Sequence, residues 1–453
     1  MGAETLGWGS SSDSGREGRM SYAHLTELRL TAFKSFHDQV LPIDPTTILI
    51  GRNGSGKSNA LDALDVLARL ANAQDIKDAL EPIRGGAAGC APHGTDSFQL
   101  GCTVTSYAGV FQYDVAVQVR PQIEIKRERV LRVDVEDGPV ELFWAETMDG
   151  EKRSRIRGAS DVTRHPTGAR RAAYVSAGTG GGLVDILVDD ATDQGVAELV
   201  AGLSLGEALR SVFHLEPIAA RMRAYVPETD QELRRDAANV SAALAHLSVE
   251  HSAQIDRLRD LIGAVSDLDV THLGFTRTDL GDVMLLVGET VGGRTDTTPA
   301  RELSDGLLRL AAVGTALLSG RDELDLPDTI VDVPSTTLVM EEIDNGLHPA
   351  QAKRVLDLVR DATAEQGSRI LLTTHNPALL DAATGEINRS VIVCYRSKET
   401  GRSELRRVTD LPGYARAMTT GGIGDAVTQG RLAGPEERST DDSVLRGILG
   451  IDA

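Results

Sequence analysis

The chain has 453 residues and a formal net charge of −20, and 41% of its residues are hydrophobic but only 4% aromatic. This length supplies apolar residues for about two or three domains, with a core built mainly from Leu, Val, Ala and Ile. The acidic total disfavours nucleic-acid binding over the whole surface, and three scattered cysteines without a C-x-x-C pair disfavour a zinc site or a disulfide framework.

The N-terminal segment, residues 1–21, is polar, rich in Gly and Ser and without an apolar signal core, which predicts a disordered tail. The longest apolar stretch runs from Leu307 to Leu318, is too short to cross a membrane and contains Arg309. Unpaired cysteines and the lack of a membrane segment indicate a cytoplasmic protein with no membrane partner.

The first half of the chain reads mainly as β-structure. Two strands are predicted between residues 25 and 50, "LTELRLTAF" and "TTILI", around a turn at Pro42 and Pro45. Residues 96–144 alternate in character, which predicts an antiparallel sheet. Residues 147–182 are charged and contain glycines, which predicts a loop.

The second half reads as a helical segment followed by an α/β section. Helices are predicted from residue 183 to about 265, and strands return at "HLGFTRTD" and "VMLLVGET". Further strands are predicted at Thr337–Met340 and Arg369–Thr373, with a helix from Pro349 to Thr363 between them. Another strand, "SVIVCYR", precedes a polar, glycine-broken tail.

Residues Gly51 to Ser58 match G-x-x-x-x-G-K-S, the pattern of a phosphate-binding loop (P-loop). The loop follows the predicted strand "TTILI" and precedes a helical pattern, which is the context that phosphate binding needs. We expect Lys57 to reach the β- and γ-phosphates of a nucleotide and the Ser58 hydroxyl to complete a Mg²⁺ shell. The expected phosphate contacts are Gly51, Asn53, Gly54, Ser55, Gly56, Lys57, Ser58 and Asn59.

Three later segments have residue types that complete such a site. The strand in "TTLVMEEIDNGLHP" ends at Glu341 and Glu342, and carboxylates there can hold Mg²⁺ and polarise a water molecule. The strand in "RILLTTHNP" ends near His375, which can sense a γ-phosphate. In "ELSDGLLRL", a serine–glycine turn opens a helix, a second phosphate-facing N-terminus. Taken singly, these features also fit exposed acids, a structural histidine and a helix cap.

The order of the four motifs resembles the head of ABC-type ATPases, in particular the RecF/SMC/OLD branch. "LTAFKSF" is similar to the opening of those heads, "LSDG" to their signature motif, "EEIDNGLHP" to their acidic strand and "TTHNP" to their histidine switch. "FHLEPIAARMRAYVP" followed by "LRRDAANVSAALAHL" is similar to the middle of small members. The resemblance implies an α/β fold with a parallel core sheet carrying the P-loop, an antiparallel β lobe and a helical insertion.

The resemblance also implies an organisation of the chain. Its parts would be a tail (1–21), ATPase lobe I (22–182), a helical insertion (183–270), ATPase lobe II (271–395) and a C-terminal tail or cap (396–453).

The resemblance implies ATP and Mg²⁺ as cofactors and a role for each motif residue. Glu342 would be the general base, and Glu341 would be the carboxylate on the Mg²⁺ side, together with Ser58. The remaining roles concern single residues: Lys34 near the base and ribose, His375 as the switch, Asp344 at the dimer seam, and Ser304 and Gly306 on the partner protomer's γ-phosphate.

Two positions depart from the usual pattern of that branch. Glu341 stands where aspartate is usual, which lengthens the side chain by one methylene group. "LSDG" replaces the fuller L-S-G-G-Q, so that Asp305 stands between Ser304 and the remaining signature glycine. For the usual Q-loop glutamine, Gln99 is a candidate, although a structural role fits it as well.

A signature motif lies far from its own P-loop, so the resemblance implies a head-to-tail homodimer, or a larger even-numbered oligomer, with ATP between the heads. The chain has no sustained heptads, and too few residues follow His375 for a Toprim nuclease. We therefore expect it to control a separately encoded effector, a nuclease or toxin, as in two-gene anti-phage systems. A RecF-like DNA-repair ATPase and a non-hydrolysing ATP-gated module stay open, and a transporter ATPase is disfavoured.

Two basic stretches could bind nucleic acid or carry ordinary solvated charge. One extends from Lys152 to Arg171, and the other contains Arg221, Arg223, Arg234 and Arg235. Near the end of the chain, the apolar stretch Val444 to Ile451 could cap the fold or dock a partner.

Overall fold

The computed structural model of the chain describes residues 23–72, 75–148, 151–156, 163–165, 193–266, 269–328, 335–343, 349–374, 377–382, 385–411, 414 and 424. The predicted N-terminal tail and the apolar stretch 444–451 lie outside these ranges. In the described part, no helix is long and apolar enough to cross a membrane.

Eighteen strands and nine α-helices build the described part of the fold. The strands are β1 (His24–Phe33), β2 (Phe36–Pro42), β3 (Thr46–Ile50), β4 (Ser97–Ser106), β5 (Gly109–Gln118), β6 (Glu124–Arg132), β7 (Val140–Met148), β8 (Glu151–Ile156), β9 (Thr163–His165), β10 (Val212–Leu215), β11 (Val226–Pro227), β12 (Val270–Arg277), β13 (Asp282–Val291), β14 (Arg294–Pro299), β15 (Thr337–Met340), β16 (Arg369–Thr374), β17 (Val391–Arg396) and β18 (Ser403–Arg407). The helices are α1 (Lys57–Asn72), α2 (Ile76–Leu80), α3 (Gly86–Cys90), α4 (Asp193–Arg210), α5 (Val240–Glu250), α6 (Ser252–Ser266), α7 (Asp305–Leu318), α8 (Pro349–Gln366) and α9 (Pro377–Ala382).

The centre of the molecule is a parallel sheet in the order β10-β15-β16-β3-β17. Strand β3 is β-branched and apolar and fully buried, as expected of a strand covered on both faces. Its side chains alternate between two cores, because successive residues of a strand point to opposite faces. Ile48 and Ile50 join the core that includes α5 to α8. Leu49 joins the core that includes α1, α4 and the antiparallel strands.

An antiparallel lobe extends the same sheet to 14 strands. Strand β18 pairs antiparallel with β17 and meets β2 at one residue pair, Ser403 with Phe36. From there the order continues β2-β1-β4-β5-β6-β7-β8-β9, with every neighbour antiparallel. A separate sheet of β11 to β14 packs against α5. The predicted fold class, a parallel core with an antiparallel lobe and helices, is confirmed.

Several local predictions were wrong. Between residues 25 and 50 the chain forms three strands, because "FHDQVLP" pairs as β2 although it is half exposed and charged. The predicted loop 147–182 contains β8 and β9, whose polar residues give no apolar alternation. The predicted C-terminal tail begins with β18, "SELRR", which is polar for the same reason.

The prediction of helices from residue 183 to 265 missed a strand of the central sheet. Strand β10, "VFHL", lies at the edge of the parallel sheet beside β15, directly after α4. A short run with three buried apolar residues around His214 cannot be told from a helix end by periodicity. The residues predicted as a helical insertion therefore contribute to the core sheet next to the acidic strand.

Candidate nucleotide site

Two functional segments meet at one edge of the central sheet. Strands β15, β16 and β3 are parallel, with Met340 paired to Leu372 and Thr374 paired to Ile50. The P-loop follows β3 and the two glutamates follow β15, so both lie at the carboxyl edge, where open α/β sheets bind ligands. Asp344 and His375 lie outside the described residues, although His375 is next to the end of β16.

The P-loop needs its glycines for close packing. A Cβ atom on Gly51 would lie 2.1 Å from the carbonyl oxygen of Cys394 in β17. A Cβ atom on Gly56, whose φ is +118°, would lie 2.4 Å from the hydroxyl oxygen of Ser403. Gly54 has φ of +79° and open space around it, so its left-handed backbone alone favours glycine.

The tip of the loop is open while its lysine is folded inward. Asn53 and Gly54 are exposed, and Lys57 at the start of α1 is buried. The Lys57 ammonium group donates to the carbonyl oxygens of Gly51 (2.6 Å) and Arg52 (3.4 Å). An exposed glycine-rich backbone before a helix N-terminus, with a lysine beneath it, is an arrangement that fits phosphate.

The underside of the P-loop is held by residues from distant parts of the chain. The Ser55 carbonyl oxygen accepts hydrogen bonds from the Ser403 hydroxyl (2.6 Å) and the Cys394 thiol (3.3 Å). The Ser55 hydroxyl is buried and has no hydrogen-bond partner in the described structure. The Asn59 amide donates to the Ser35 hydroxyl (2.8 Å), which lies 2.7 Å from Ser403. Asn59 therefore supports the loop in this structure. Ser403 was not predicted as a site residue, because a serine in a polar stretch carries no signal.

Glu341 lies directly against the P-loop helix. The Ser58 hydroxyl donates to one Glu341 carboxylate oxygen (3.4 Å), and Arg84 donates to the other. Arg84 also pairs with buried Asp62 of α1 at 3.1 Å. Burial alone lowers the pKa of Arg84, but the carboxylates of Glu341 and Asp62 outweigh it and raise the pKa above its ordinary value. Arg84, which lies in the short connection between α2 and α3, was not predicted as a site residue.

Lys34 lies beside Arg84 and Asp62 and binds both. Its backbone is left-handed, with φ of 50°, and its ammonium group donates to Asp62 (2.7 Å) and to the carbonyl oxygen of Arg84 (2.9 Å). Lys34 thus neutralises Asp62 and positions the Arg84 loop in this structure. The proposed contact of Lys34 with a base or ribose stays a prediction.

Glu342 turns the chain sharply after the acidic strand. Its φ is 49°, and its backbone N–H donates to the Thr373 hydroxyl of β16 at 3.0 Å. A left-handed conformation costs a non-glycine residue about 1–2 kcal/mol, and such strain concentrates at functional sites. The chain therefore changes direction directly after Glu341, at the residue predicted to be the general base.

His214 lies on β10, the strand that pairs with the acidic strand β15. Its Nε2 atom lies 3.9 Å from a Glu341 carboxylate oxygen, and its side chain is 11% exposed. Burial lowers the pKa of His214, against the opposing effect of the Asp65 and Glu341 carboxylates. Asp65 is in turn paired with Arg235 at 2.8 Å. His214 was not predicted as a site residue, since β10 was not predicted.

The signature motif lies at an exposed helix start. Ser304 is the N-cap of α7, and its hydroxyl accepts a hydrogen bond from the Leu307 N–H at 3.2 Å. The hydroxyl proton therefore remains available for another acceptor. Ser304 is exposed and Gly306 half-buried, and no hydrogen bond joins either to the P-loop within the described ranges.

Gln99, the candidate for the Q-loop, lies in the middle of β4. It pairs in register with Ala32 of β1 and Ala116 of β5. This position is inside the antiparallel lobe.

The second predicted basic stretch is neutralised within the fold. All four of its arginines form ion pairs with aspartates, so they present no uncompensated positive surface. The pairs are Arg221–Asp236, Arg223–Asp305, Arg234–Asp230 and Arg235–Asp65. Side chains of the first stretch, Lys152 to Arg171, lie outside what the structure describes.

The donor chemistry beside the P-loop fits magnesium. Ser58 and Glu341 place a hydroxyl and a carboxylate, both hard oxygen donors, next to each other. Mg²⁺ is typically held by one or two carboxylates together with phosphate and water. Glutamate at position 341 is long enough to reach both Ser58 and Arg84.

One protein-family model matches two blocks, residues 46–155 and 213–381, which together make up more than half of the chain. Its description is "AAA domain, putative AbiEii toxin, Type IV TA system". The chain belongs to this family. The blocks include the P-loop, the signature motif, both glutamates and His375. Family membership confirms the predicted resemblance to RecF/SMC-like ATPase heads and implies nucleotide binding.

The chain is also similar to individual proteins, with low sequence identity or over a short segment. It is 39% identical over 56 residues to "DNA replication and repair protein RecF" of Synechococcus sp. (strain JA-2-3B'a(2-13)), a match that covers 12% of this chain and 15% of that protein. An SMC head bound to the C-winged helix domain of ScpA is 16% identical, with a TM-score of 0.42, over 84% of this chain and 97% of that one. The Smc head domain of Pyrococcus yayanosii, with a coiled coil and joint, is 12% identical, with a TM-score of 0.42, over 90% and 100%.

Proposed function

We propose that the chain binds ATP with Mg²⁺ at the carboxyl edge of the central sheet and hydrolyses it. The observation that carries this proposal is the contact between Ser58 of the P-loop helix and Glu341 of the acidic strand, 283 residues apart in sequence. Lys57 and the backbone of Gly51 to Gly56 hold the phosphates. Glu342 accepts a proton from the attacking water, and His375 senses the γ-phosphate.

Mg²⁺, when bound, neutralises charge on the β- and γ-phosphates. Ser58 and Glu341 hold it from the protein side. Arg84 now occupies one oxygen of the Glu341 carboxylate, so the arginine and the metal share one ligand.

Phosphate release by the wild type, compared with Lys57→Ala and Glu342→Gln, tests this half of the proposal. We expect Glu342→Gln to bind ATP but to turn over about a hundredfold more slowly, as for loss of a general base. Wild-type turnover equal to that of Glu342→Gln would instead favour a non-hydrolysing, ATP-gated module.

We further propose a head-to-tail dimer with two ATP molecules at its seam, and Asp344 at that seam. The support is the exposed N-cap Ser304 at the start of α7, whose hydroxyl accepts from the Leu307 N–H and so keeps its proton available for an acceptor on a second head. A second head would supply the phosphate. Hydrolysis then removes the group that bridges the heads and loosens the pair.

The dimer is proposed to control a separately encoded effector, a nuclease or toxin, in defence against phage. The family description, which names a toxin–antitoxin system, supports a two-component arrangement. Purification of the chain together with the products of neighbouring genes, with and without ATP, tests this part. An effector that stays bound through size exclusion in one nucleotide state is the expected result, and its absence in both states would contradict it.

A RecF-like DNA-binding ATPase is the second candidate. It is favoured by the short match to a RecF protein and by Arg127, which is exposed on β6. This candidate predicts ATP hydrolysis stimulated by DNA, with an affinity that falls steeply with salt. A rate of ATP hydrolysis that DNA does not change at low salt would contradict this candidate and favour the effector model.

A further inference from the structure

Arg223 binds the start of the signature helix from outside. Its Nη1 atom lies within hydrogen-bond distance of the carbonyl oxygens of Leu303 (2.7 Å), Arg301 (2.9 Å) and Ala300 (3.5 Å). Its Nη2 atom pairs with the Asp305 carboxylate at 2.5 Å. One guanidinium group thus fixes both the turn before the signature motif and the acidic residue inside it.

The segment that carries Arg223 is itself anchored. The backbone N–H groups of Glu216 and Ile218 donate to the carbonyl oxygens of Arg235 and Asp236, at 2.8 and 3.0 Å. Two residues after Arg223, the Tyr225 ring lies 5.7 Å from the Arg301 guanidinium group. Arg223 is therefore presented to α7 on a fixed support.

Asp305 places a carboxylate group inside the signature motif. It is the first residue of α7, between Ser304 and Gly306, where the fuller signature motif has a glycine. A carboxylate at a helix N-terminus is favourable for the helix, but it repels a second anion brought to the same place. With a side chain 69% exposed, Asp305 could turn toward a phosphate if nothing held it.

We propose that Arg223 is a positioning residue for the signature motif, which holds the Asp305 carboxylate aside so that the N-terminus of α7 can accept the partner protomer's γ-phosphate. The ion pair Arg223–Asp305 would allow "LSDG" to act as a signature motif. A motif with glycine at position 305 has no carboxylate there and would need no such arginine. This inference rests on the proposed head-to-tail dimer.

A purely structural role for Arg223 makes a different prediction. If the contacts to the three carbonyl oxygens were all that mattered, removal of the Asp305 charge would not compensate for loss of Arg223. If the charge of Asp305 is what Arg223 controls, that removal restores function. The two roles therefore separate in a double variant.

The experiment measures the dimer dissociation constant by mass photometry with ATP and Mg²⁺ in the Glu342→Gln background, together with ATP binding and the melting temperature. Arg223→Gln is expected to weaken ATP-dependent dimerisation about tenfold or more, with ATP binding to the single head unchanged. Addition of Asp305→Asn is expected to recover dimerisation to within about threefold of the Glu342→Gln parent. Arg223→Lys, which keeps a cation opposite Asp305, is expected to lie close to the parent.

A double variant no better than Arg223→Gln, or Arg223→Lys as defective as Arg223→Gln, would overturn the proposal. If Arg223→Gln melts too low to be studied, Arg223→Lys is compared with the Glu342→Gln parent, and a tenfold weaker dimerisation of Arg223→Lys would overturn the proposal. Failure of the Glu342→Gln parent itself to dimerise with ATP would overturn the dimer model, and this inference with it. Normal dimerisation of the parent with failed rescue would overturn this inference alone.

Discussion

Arg84 and Glu341 form an ion pair across the edge of the sheet, although 257 residues separate them in sequence. The contact joins the connection after the P-loop helix to the tip of the acidic strand. Because Arg84 pairs with the carboxylate that is proposed to hold Mg²⁺, the response to Mg²⁺ is a sensitive test of the site.

Arg84→Gln is predicted to lower the Mg²⁺ concentration needed for half-maximal binding of a fluorescent ATP analogue, by about three- to tenfold. The reason is that the guanidinium group and Mg²⁺ compete for one carboxylate. Asp62 keeps Lys34 as its partner, so the fold should tolerate the change. Arg360→Gln, on the exposed face of α8, is the control and should have no effect. A raised Mg²⁺ requirement for Arg84→Gln would mean that Arg84 positions Glu341 and does not compete with the metal.

Gly51→Ala is predicted to destabilise the protein more than Gly54→Ala, which is its matched control in the same loop. The added methyl group at position 51 would meet the backbone carbonyl of Cys394, which the pairing of β17 with β18 holds in place. Overpacking of this kind costs about 1–3 kcal/mol. At position 54 there is space, and only the left-handed backbone opposes alanine, at about 1 kcal/mol. Urea unfolding measures both, and equal stabilities of the two variants would contradict the packing argument.

The three cysteine thiols are predicted to be protected in the folded protein. Burial raises the pKa of Cys90 and Cys394 to about 11 and that of Cys102 to about 12. The reactive thiolate is therefore scarce at pH 8. Labelling with a thiol reagent should be slow without denaturant and should reach three groups per chain in urea. Rapid labelling of the native protein would contradict the burial of these side chains.

The same shifts give a direction for stability against pH. Because the pKa of each thiol is higher in the folded protein than in the unfolded chain, folding favours the neutral thiol. This contribution is complete below the unfolded pKa, about 8.5, and is lost as pH rises toward about 11. The free energy of unfolding should fall over that window, and less so in a variant with Cys394→Ser.

The parts of the site that could be predicted from sequence are those that a short stretch specifies alone. The P-loop needs one strand, one glycine-rich turn and one helix start in succession, and the structure has them at β3, residues 51–56 and α1. Likewise, Ser304 is followed by a helix pattern, which predicts the N-cap that is observed. Such signals are local, so no tertiary knowledge is required.

The missed residues reach the site through tertiary pairing. Ser403 comes to the P-loop only because β18 pairs with β17, and His214 reaches Glu341 only because β10 pairs with β15. Arg84 lies in a connection without periodicity. The sequence next to Ser403, His214 or Arg84 does not indicate which residue each one contacts. The strands that position Ser403 and His214 are short or polar.

Closure of two copies of the chain around ATP is measured by mass photometry of Glu342→Gln with and without ATP and Mg²⁺. We expect twice the mass with nucleotide, and reversal of this increase by Ser304→Arg, which blocks the signature helix. The same mass with and without ATP in Glu342→Gln, under conditions where ATP binding is verified, would contradict it.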